Sequence, residues 1–200
     1  MSLALIDYGA GNLRSVANAL RYLDCSFDLC DSGPTLKGAT RIILPGVGHF
    51  GAAMQELNRR GLVGPLVERV RAGVPLLGIC LGLQLLFESS EEAPGVPGLG
   101  LLAGGVRRMQ TKVVPHMGWN RLVFQRAHAI TRGLPDTVHC YFANSFAAAP
   151  ADAGVTVAEV QQDEDVFPAV VADGSLAATQ FHPEKSGPVG LIMLRNFVQC

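Results

Sequence analysis

The first half of the chain switches between short unbroken apolar runs and apolar residues spaced three and four apart. LALID (3–7), SFDLC (26–30), RIILP (41–45) and PLLGI (75–79) read as strands. Between the first two, Leu13, Val16, Ala17, Leu20 and Leu23 recur at helical spacing. Asn12 is placed to cap that helix after the glycine-rich turn YGAGN. HFGAAMQELNRR (49–60) and PLVERVRA (65–72) predict two more helices, stopped by Gly61 and Gly73 as C′ residues. LGLQLLFE (81–88) predicts a short helix directly after PLLGI. Strands alternating with helices predict a mostly parallel sheet covered on both faces.

After the proline- and glycine-rich loop SSEEAPGVPGLG (89–100) the pattern becomes one of hairpins. RLVF (121–124), VHCYFANSF (138–146), VTVAEV (155–160), FPAVVA (167–172) and SLAATQFH (175–182) read as successive strands, and VGLIMLRNFV (189–198) as a closing helix. The expected fold is a single α/β domain over residues 1–200. Its mostly parallel central sheet is flanked by helices, with additional antiparallel strands in the C-terminal half.

Composition narrows the function classes. Of 200 residues, 48% are hydrophobic and 16% charged, enough to build a core. A formal net charge of −1 argues against nucleic acid or anionic lipid as a partner. No apolar run reaches the roughly 18 to 20 residues of a membrane helix, and MSLALIDYGA meets Asp7 too early for a secretory segment. Cys25, Cys30, Cys80, Cys140 and Cys200 are scattered and contain no C-x-x-C pair. No disulfide framework or zinc ribbon is expected, and a reducing cytoplasm is.

One cysteine stands apart. Gly78-Ile79-Cys80-Leu81-Gly82 has the form of a nucleophile elbow with sulfur in place of a hydroxyl. A sharp strand-to-helix turn strains its central residue and leaves no room for side chains two positions away. Free N–H groups at the start of the helix then face the reacting centre and can hold an oxyanion. A buried structural cysteine at a tight packing site explains the pentapeptide equally well.

A thiol nucleophile needs an imidazole. His49, His116, His128 and His139 lie in turns, loops or at a strand start, and no compact histidine pair suggests a metal. His182 ends an apolar strand and continues as His182-Pro183-Glu184. In an extended chain residues two apart face the same side, so Glu184 is expected to reach the ring of His182 and orient it.

GICLGLQLLFE together with FHPEKSG resembles the class I (triad) glutamine amidotransferases. LIDYGAGNLRSV (5–16), LPGVGHFGAAM (44–54), GLGLLAGGVRRM (98–109), VPHMGWN (114–120), YFANSF (141–146) and QFHPEKSG (180–187) resemble, in order and spacing, the glutaminase subunits of imidazole glycerol phosphate synthases in histidine biosynthesis. The resemblance implies that Cys80 attacks the side-chain amide of L-glutamine, with His182 as acid and base and Glu184 orienting it. It implies an oxyanion hole from the N–H groups of Val47 and Leu81, and glutamine contacts from Gly48, Gln84, Ser145 and Phe146. It also implies a (β/α)8-barrel cyclase as partner, met by Trp119, Asn120, Tyr141 and Lys185, and neither cofactor nor metal. Trp119 is expected in a polar loop, as an interface anchor. Asn144 and Phe146 stand where that family usually carries histidine and tyrosine, and activity is expected to persist on backbone contacts. Two other readings remain: the glutaminase of another amidotransferase, such as one making an aminobenzoate precursor, and a silent partner-binding module.

Overall fold

The structure, a computed structural model, describes residues 2–9 and 11–199. Ala10, inside the expected YGAGN turn, and Cys200 lie outside the described residues. The parallel half comprises β1 (Leu3–Ile6), α1 (Leu13–Tyr22), β2 (Asp28–Cys30), β3 (Arg41–Leu44), α2 (Phe50–Arg59), α3 (Val63–Arg71) and β4 (Leu76–Ile79). There follow α4 (Leu81–Gln84), β5 (Phe87–Ser90), β6 (Leu102–Arg108), β7 (His116–Arg121), β8 (Val123–Phe124), β9 (His139–Asn144) and β10 (Phe146–Pro150). The chain closes with β11 (Thr156–Gln162), β12 (Asp165–Asp173), β13 (Leu176–Thr179) and α5 (Gly187–Gln199).

Eight strands form the central sheet in the order β2-β1-β3-β4-β13-β12-β11-β8. The first five are mutually parallel and the last three antiparallel, as the change of pattern along the chain predicts. Strand alternation splits the core into two layers. Leu3 and Leu5 of β1, Ile43 of β3 and Leu77 and Ile79 of β4 pack with Val16 and Leu20 of α1 and Leu194 and Phe197 of α5. Ala4, Ile6, Ile42, Leu44 and Leu76 point the other way, against Phe50 and Leu57 of α2 and Leu66 of α3. Each buried leucine contributes on the order of 1.5–3 kcal/mol by leaving water.

Strand order reverses beside β1: the chain steps outward to β2, then back across to β3 and β4. Ligands in open α/β sheets bind at such a switch point, outside the carboxyl ends of the strands. The register keeps those ends level, with Leu5 beside Ile43, Leu44 beside Gly78 and Ile79 beside Thr179. Four loops therefore leave the same edge: those following β1, β3, β4 and β13.

Several elements differ from expectation. The helix expected over 81–88 stops at Gln84, and Phe87–Ser90 becomes a strand beside β6. Backbone N–H groups of Gly98, Leu99, Leu101 and Leu102 take the carbonyls of Glu88, Leu85 and Leu86, which a helix would otherwise need. The expected strand 138–146 breaks at Ser145 into β9 and β10, which join different sheets. VPHMGWN is not a loop; from His116 onward it is strand β7, paired with β9 as a two-stranded ribbon. Gly61 and Gly73 do end their helices, at φ 64° and 87°, where only glycine is unstrained.

Candidate active site

Cys80 sits between β4 and α4 at φ 54° and ψ −107°. That conformation costs a non-glycine residue on the order of 1–3 kcal/mol and is held by its surroundings. Both flanking glycines are required by contact. A Cβ on Gly78 would lie 2.9 Å from the backbone of Gly82, and one on Gly82 would run into the Leu44 carbonyl. The elbow is as expected, but α4 is a single turn. Its donors are individual N–H groups rather than a summed helix dipole, which needs several aligned turns.

β13 ends at Thr179, three residues before His182. Pro183 opens a 3-10 turn, Pro183–Lys185, instead of continuing an extended chain; the first helical position has no use for the missing N–H. The turn, not strand alternation, brings Glu184 back to His182, with Nδ1 and Oε1 2.9 Å apart. Both side chains are buried. Nδ1 faces the carboxylate, so Nε2 is left for the sulfur. Burial alone lowers the pKa of His182, but hydrogen bonding and charge from Cys80 and Glu184 outweigh it and carry the ring up to about 9.

Cys80 and His182 line one cavity of about 260 Å³ with Val47, Gly48, Leu81, Gln84, Glu92, Asn144, Ser145, Phe146 and Lys185. Every residue expected for catalysis or glutamine binding except Glu184 is on this wall, and Glu184 stands directly behind His182.

The expected oxyanion hole is closed. The Leu81 N–H donates to the Gly46 carbonyl at 3.3 Å. The Gly46–Val47 peptide is planar and trans, so its N–H points opposite to its C=O. The Val47 donor therefore faces away from Leu81, and the two do not converge.

The Glutamine amidotransferase class-I family model matches residues 4–200. The chain is a class I glutamine amidotransferase. It is similar to the imidazole glycerol phosphate synthase subunit HisH of Geobacillus kaustophilus, at 49% identity over 98% of this chain and 95% of that one. The subunit of the same name from Deinococcus radiodurans is 46% identical over 96% of this chain and 91% of its own. Among solved structures, a glutamine amidotransferase superposes with TM-score 0.78 at 23% identity, covering 98% of this chain and 97% of that one. PurLQS from Thermotoga maritima does so with TM-score 0.74 at 19% identity over the same shares. Those two likenesses are of fold.

In this amidotransferase the amide of Gln84 is buried and donates to the Phe146 carbonyl (2.9 Å) and to Gln180 Oε1 (3.2 Å). The Phe146 carbonyl also accepts from Asn144 Nδ2 at 3.1 Å, so both its lone pairs are engaged. It shapes the wall of the cavity. The Ser145 carbonyl likewise accepts the Met109 N–H. Buried Asn144 Oδ1 has no partner. Gln180 places Nε2 3.9 Å from the Cys80 sulfur.

Three of the four expected interface residues cluster. Trp119 is 57% exposed and meets Tyr141 edge-on at 6.2 Å, and Lys185 Nζ lies 5.9 Å from the Tyr141 ring. Exposed Met117 lies on the same face of the ribbon as Trp119. Asn120 does not join them. Strand alternation turns it inward, where Nδ2 donates to Gln161 O and Gln162 Oε1 of β11.

Asn12 and Glu92 were not recognised in the sequence as site residues. Asn12 does occupy the N-cap position of α1, its carbonyl accepting from Ser15 and Val16, but at φ 72° its side chain makes no bond to the helix and instead donates to Glu184. Glu92, in the expected loop, accepts the Phe50 N–H at 2.7 Å and faces the cavity. Both are brought in by tertiary contacts with no local pattern to announce them. Among the described residues no metal-binding cluster occurs, no cysteine is paired, and no helix is long and apolar enough to cross a membrane.

Proposed function

We propose that this amidotransferase is the glutaminase subunit of an imidazole glycerol phosphate synthase, hydrolysing L-glutamine and passing ammonia to a (β/α)8-barrel cyclase. The convergence of Cys80, His182 and Glu184 on one cavity carries the catalytic part of this reading. The HisH relatives, similar over nearly their whole length, support the assignment to that synthase.

Glutamine enters with its side-chain amide toward Cys80. The Asn144 carbonyl oxygen and the Glu92 carboxylate are the acceptors the cavity offers to its N–H and ammonium groups. The sulfur attacks the amide carbon, and negative charge develops on the amide oxygen. His182, protonated at neutral pH, gives its proton to the nitrogen as the carbon–nitrogen bond breaks; ammonia leaves and a γ-glutamyl thioester remains. The neutral ring then draws a proton from water attacking the thioester, and glutamate leaves. Glu184 fixes the ring and offsets its positive charge throughout.

The oxyanion needs two donors, and the closed hole offers none. Rotation of the Gly46–Val47 peptide frees the Leu81 N–H and turns the Val47 N–H toward it in one movement. Loss of one such donor costs enzymes roughly 10²–10³ in turnover, so the closed form is a slow glutaminase. The cyclase docks on the ribbon face of Met117, Trp119 and Tyr141, beside Lys185 at the cavity mouth. An aromatic anchor next to a charged rim is what such an interface uses.

The deciding measurement is ammonia release from glutamine with and without the cyclase and its ligand. Cys80→Ala should abolish glutamine-dependent synthesis and leave ammonia-dependent synthesis by the partner intact. Loss of both in an intact complex contradicts the division of labour.

A further inference from the structure

Tyr8 is 2% exposed, and its hydroxyl has no hydrogen-bond partner. A buried hydroxyl left unpaired costs on the order of 1–3 kcal/mol relative to phenylalanine. Its position is set by the sheet. The β1–β3 register pairs Leu3 with Arg41 and Leu5 with Ile43; continued three residues further, it sets Tyr8 beside Gly46. The contact is close, since a side chain on Gly46 would run into the Tyr8 hydroxyl.

Gly46 owns the carbonyl that closes the oxyanion hole. When the Gly46–Val47 peptide turns, that carbonyl leaves the Leu81 N–H and must find another donor or remain buried and unpaired. A cavity of about 230 Å³, lined by Tyr8, Gly9, Gly11, Val47 and Gly48 among others, adjoins the segment. Gly46 has no side chain to obstruct the turn, and Gly48, at φ 104° with open space around it, is a second pivot.

We infer that the Tyr8 hydroxyl receives the Gly46 carbonyl when the peptide turns, and so holds the oxyanion hole open. This rests on the glutaminase reading above. Tyr8 is a positioning residue: it touches neither glutamine nor the sulfur. Burial and then the nearby Cys80 push its pKa up, so it keeps the proton it must donate. The hydroxyl orphaned in the closed form and the carbonyl orphaned in the open form are neighbours, and pairing them favours the open state.

The test is Tyr8→Phe in the assembled complex with the cyclase. Cyclase-stimulated kcat for glutamine should fall about three- to ten-fold, the value of one neutral hydrogen bond, with KM and unstimulated turnover little changed. The melting temperature should stay level or rise, because the variant deletes a hydroxyl that is unpaired in the closed form. Ammonia-dependent synthesis, unaffected, reports an intact complex. Full stimulated kcat in Tyr8→Phe overturns the inference and leaves the glutaminase reading standing. A fall in stimulated and unstimulated turnover together with a lower melting temperature assigns Tyr8 a packing role only, which also overturns it. Wild-type complex that releases no ammonia from glutamine sinks the underlying reading, and the role of Tyr8 with it.

Discussion

Asn12 donates its side-chain amide to Glu184 Oε1 at 2.5 Å, across 172 residues of chain. The same nitrogen lies 3.3 Å from His182 Nδ1. It does not donate there, because Nδ1 directs its own proton at the carboxylate. Glu184 thus has one oxygen shared by Asn12 and His182, and a second, Oε2, that is buried without a partner. Asn12 is the one neutral donor fixing this carboxylate among the described residues.

Removing that donor should loosen the imidazole without unfolding the chain. Asn12→Ala is expected to lower kcat about ten-fold, the equivalent of ~1.4 kcal/mol, with little change in KM. Steady-state kinetics in the cyclase complex, beside a thermal melt, checks it. A change in KM alone would place Asn12 in substrate binding instead.

The pH behaviour follows from His182, whose pKa stands above its ordinary 6.5 at about 9. A raised histidine contributes stability fully below about 6.5, and loses it as pH climbs through about 9. Glutaminase turnover should fall on the same alkaline limb, as the proton for the leaving nitrogen is lost. Glu184→Gln removes one of the groups holding the charge, so its limb should lie at lower pH. Melts of the two proteins should differ at pH 6 and draw together above pH 9. An unmoved alkaline limb would show that another group titrates there.

Cysteine reactivity should be confined to one position among the described cysteines. Burial pushes the thiols of Cys25, Cys30 and Cys140 up, the last to about 12. Only Cys80 opens on the cavity with a histidine beside it. A glutamine-analogue electrophile should label Cys80 first, and peptide mass spectrometry will read it. Labelling of Cys25 ahead of Cys80 would argue for a silent site.

Trp119 projects from β7 and meets the Tyr141 ring edge-on. Trp119→Ala should weaken cyclase binding by about 2 kcal/mol, roughly thirty-fold in Kd, while the resting activity of the free subunit is retained. Titration calorimetry against the cyclase measures this. An unchanged Kd would move the docking surface elsewhere.

The elbow was legible in the sequence as two glycines set about a cysteine. The Leu44 carbonyl of β3, distant in the chain, excludes a side chain at Gly82, whereas Gly78 is held bare by the backbone of the turn itself. Gly61 and Gly73 are likewise set locally, where a helix end asks for positive φ. The alternation of LALI and RIIL, which sends side chains to two faces, declared a sheet covered on both sides. His182 and Glu184 were legible as a pair, but a proline-initiated turn joins them rather than the extended strand their spacing predicts.

What the tertiary structure decided was everything that depends on one strand end meeting another. The β1–β3 register put Tyr8 beside Gly46. The arrival of β13 next to β4 put Glu184 within reach of Asn12. The capture of the Leu85 to Glu88 carbonyls by residues 98–102 ended a helix that its own periodicity would have extended. A one-residue break at Ser145 sent one expected strand into two sheets and formed the wall of the cavity. The closed oxyanion hole belongs to the same class, since the orientation of one peptide turns on which N–H lies opposite it. Local sterics are written in neighbouring residues; hydrogen bonds between distant segments are chosen only when the whole sheet is assembled.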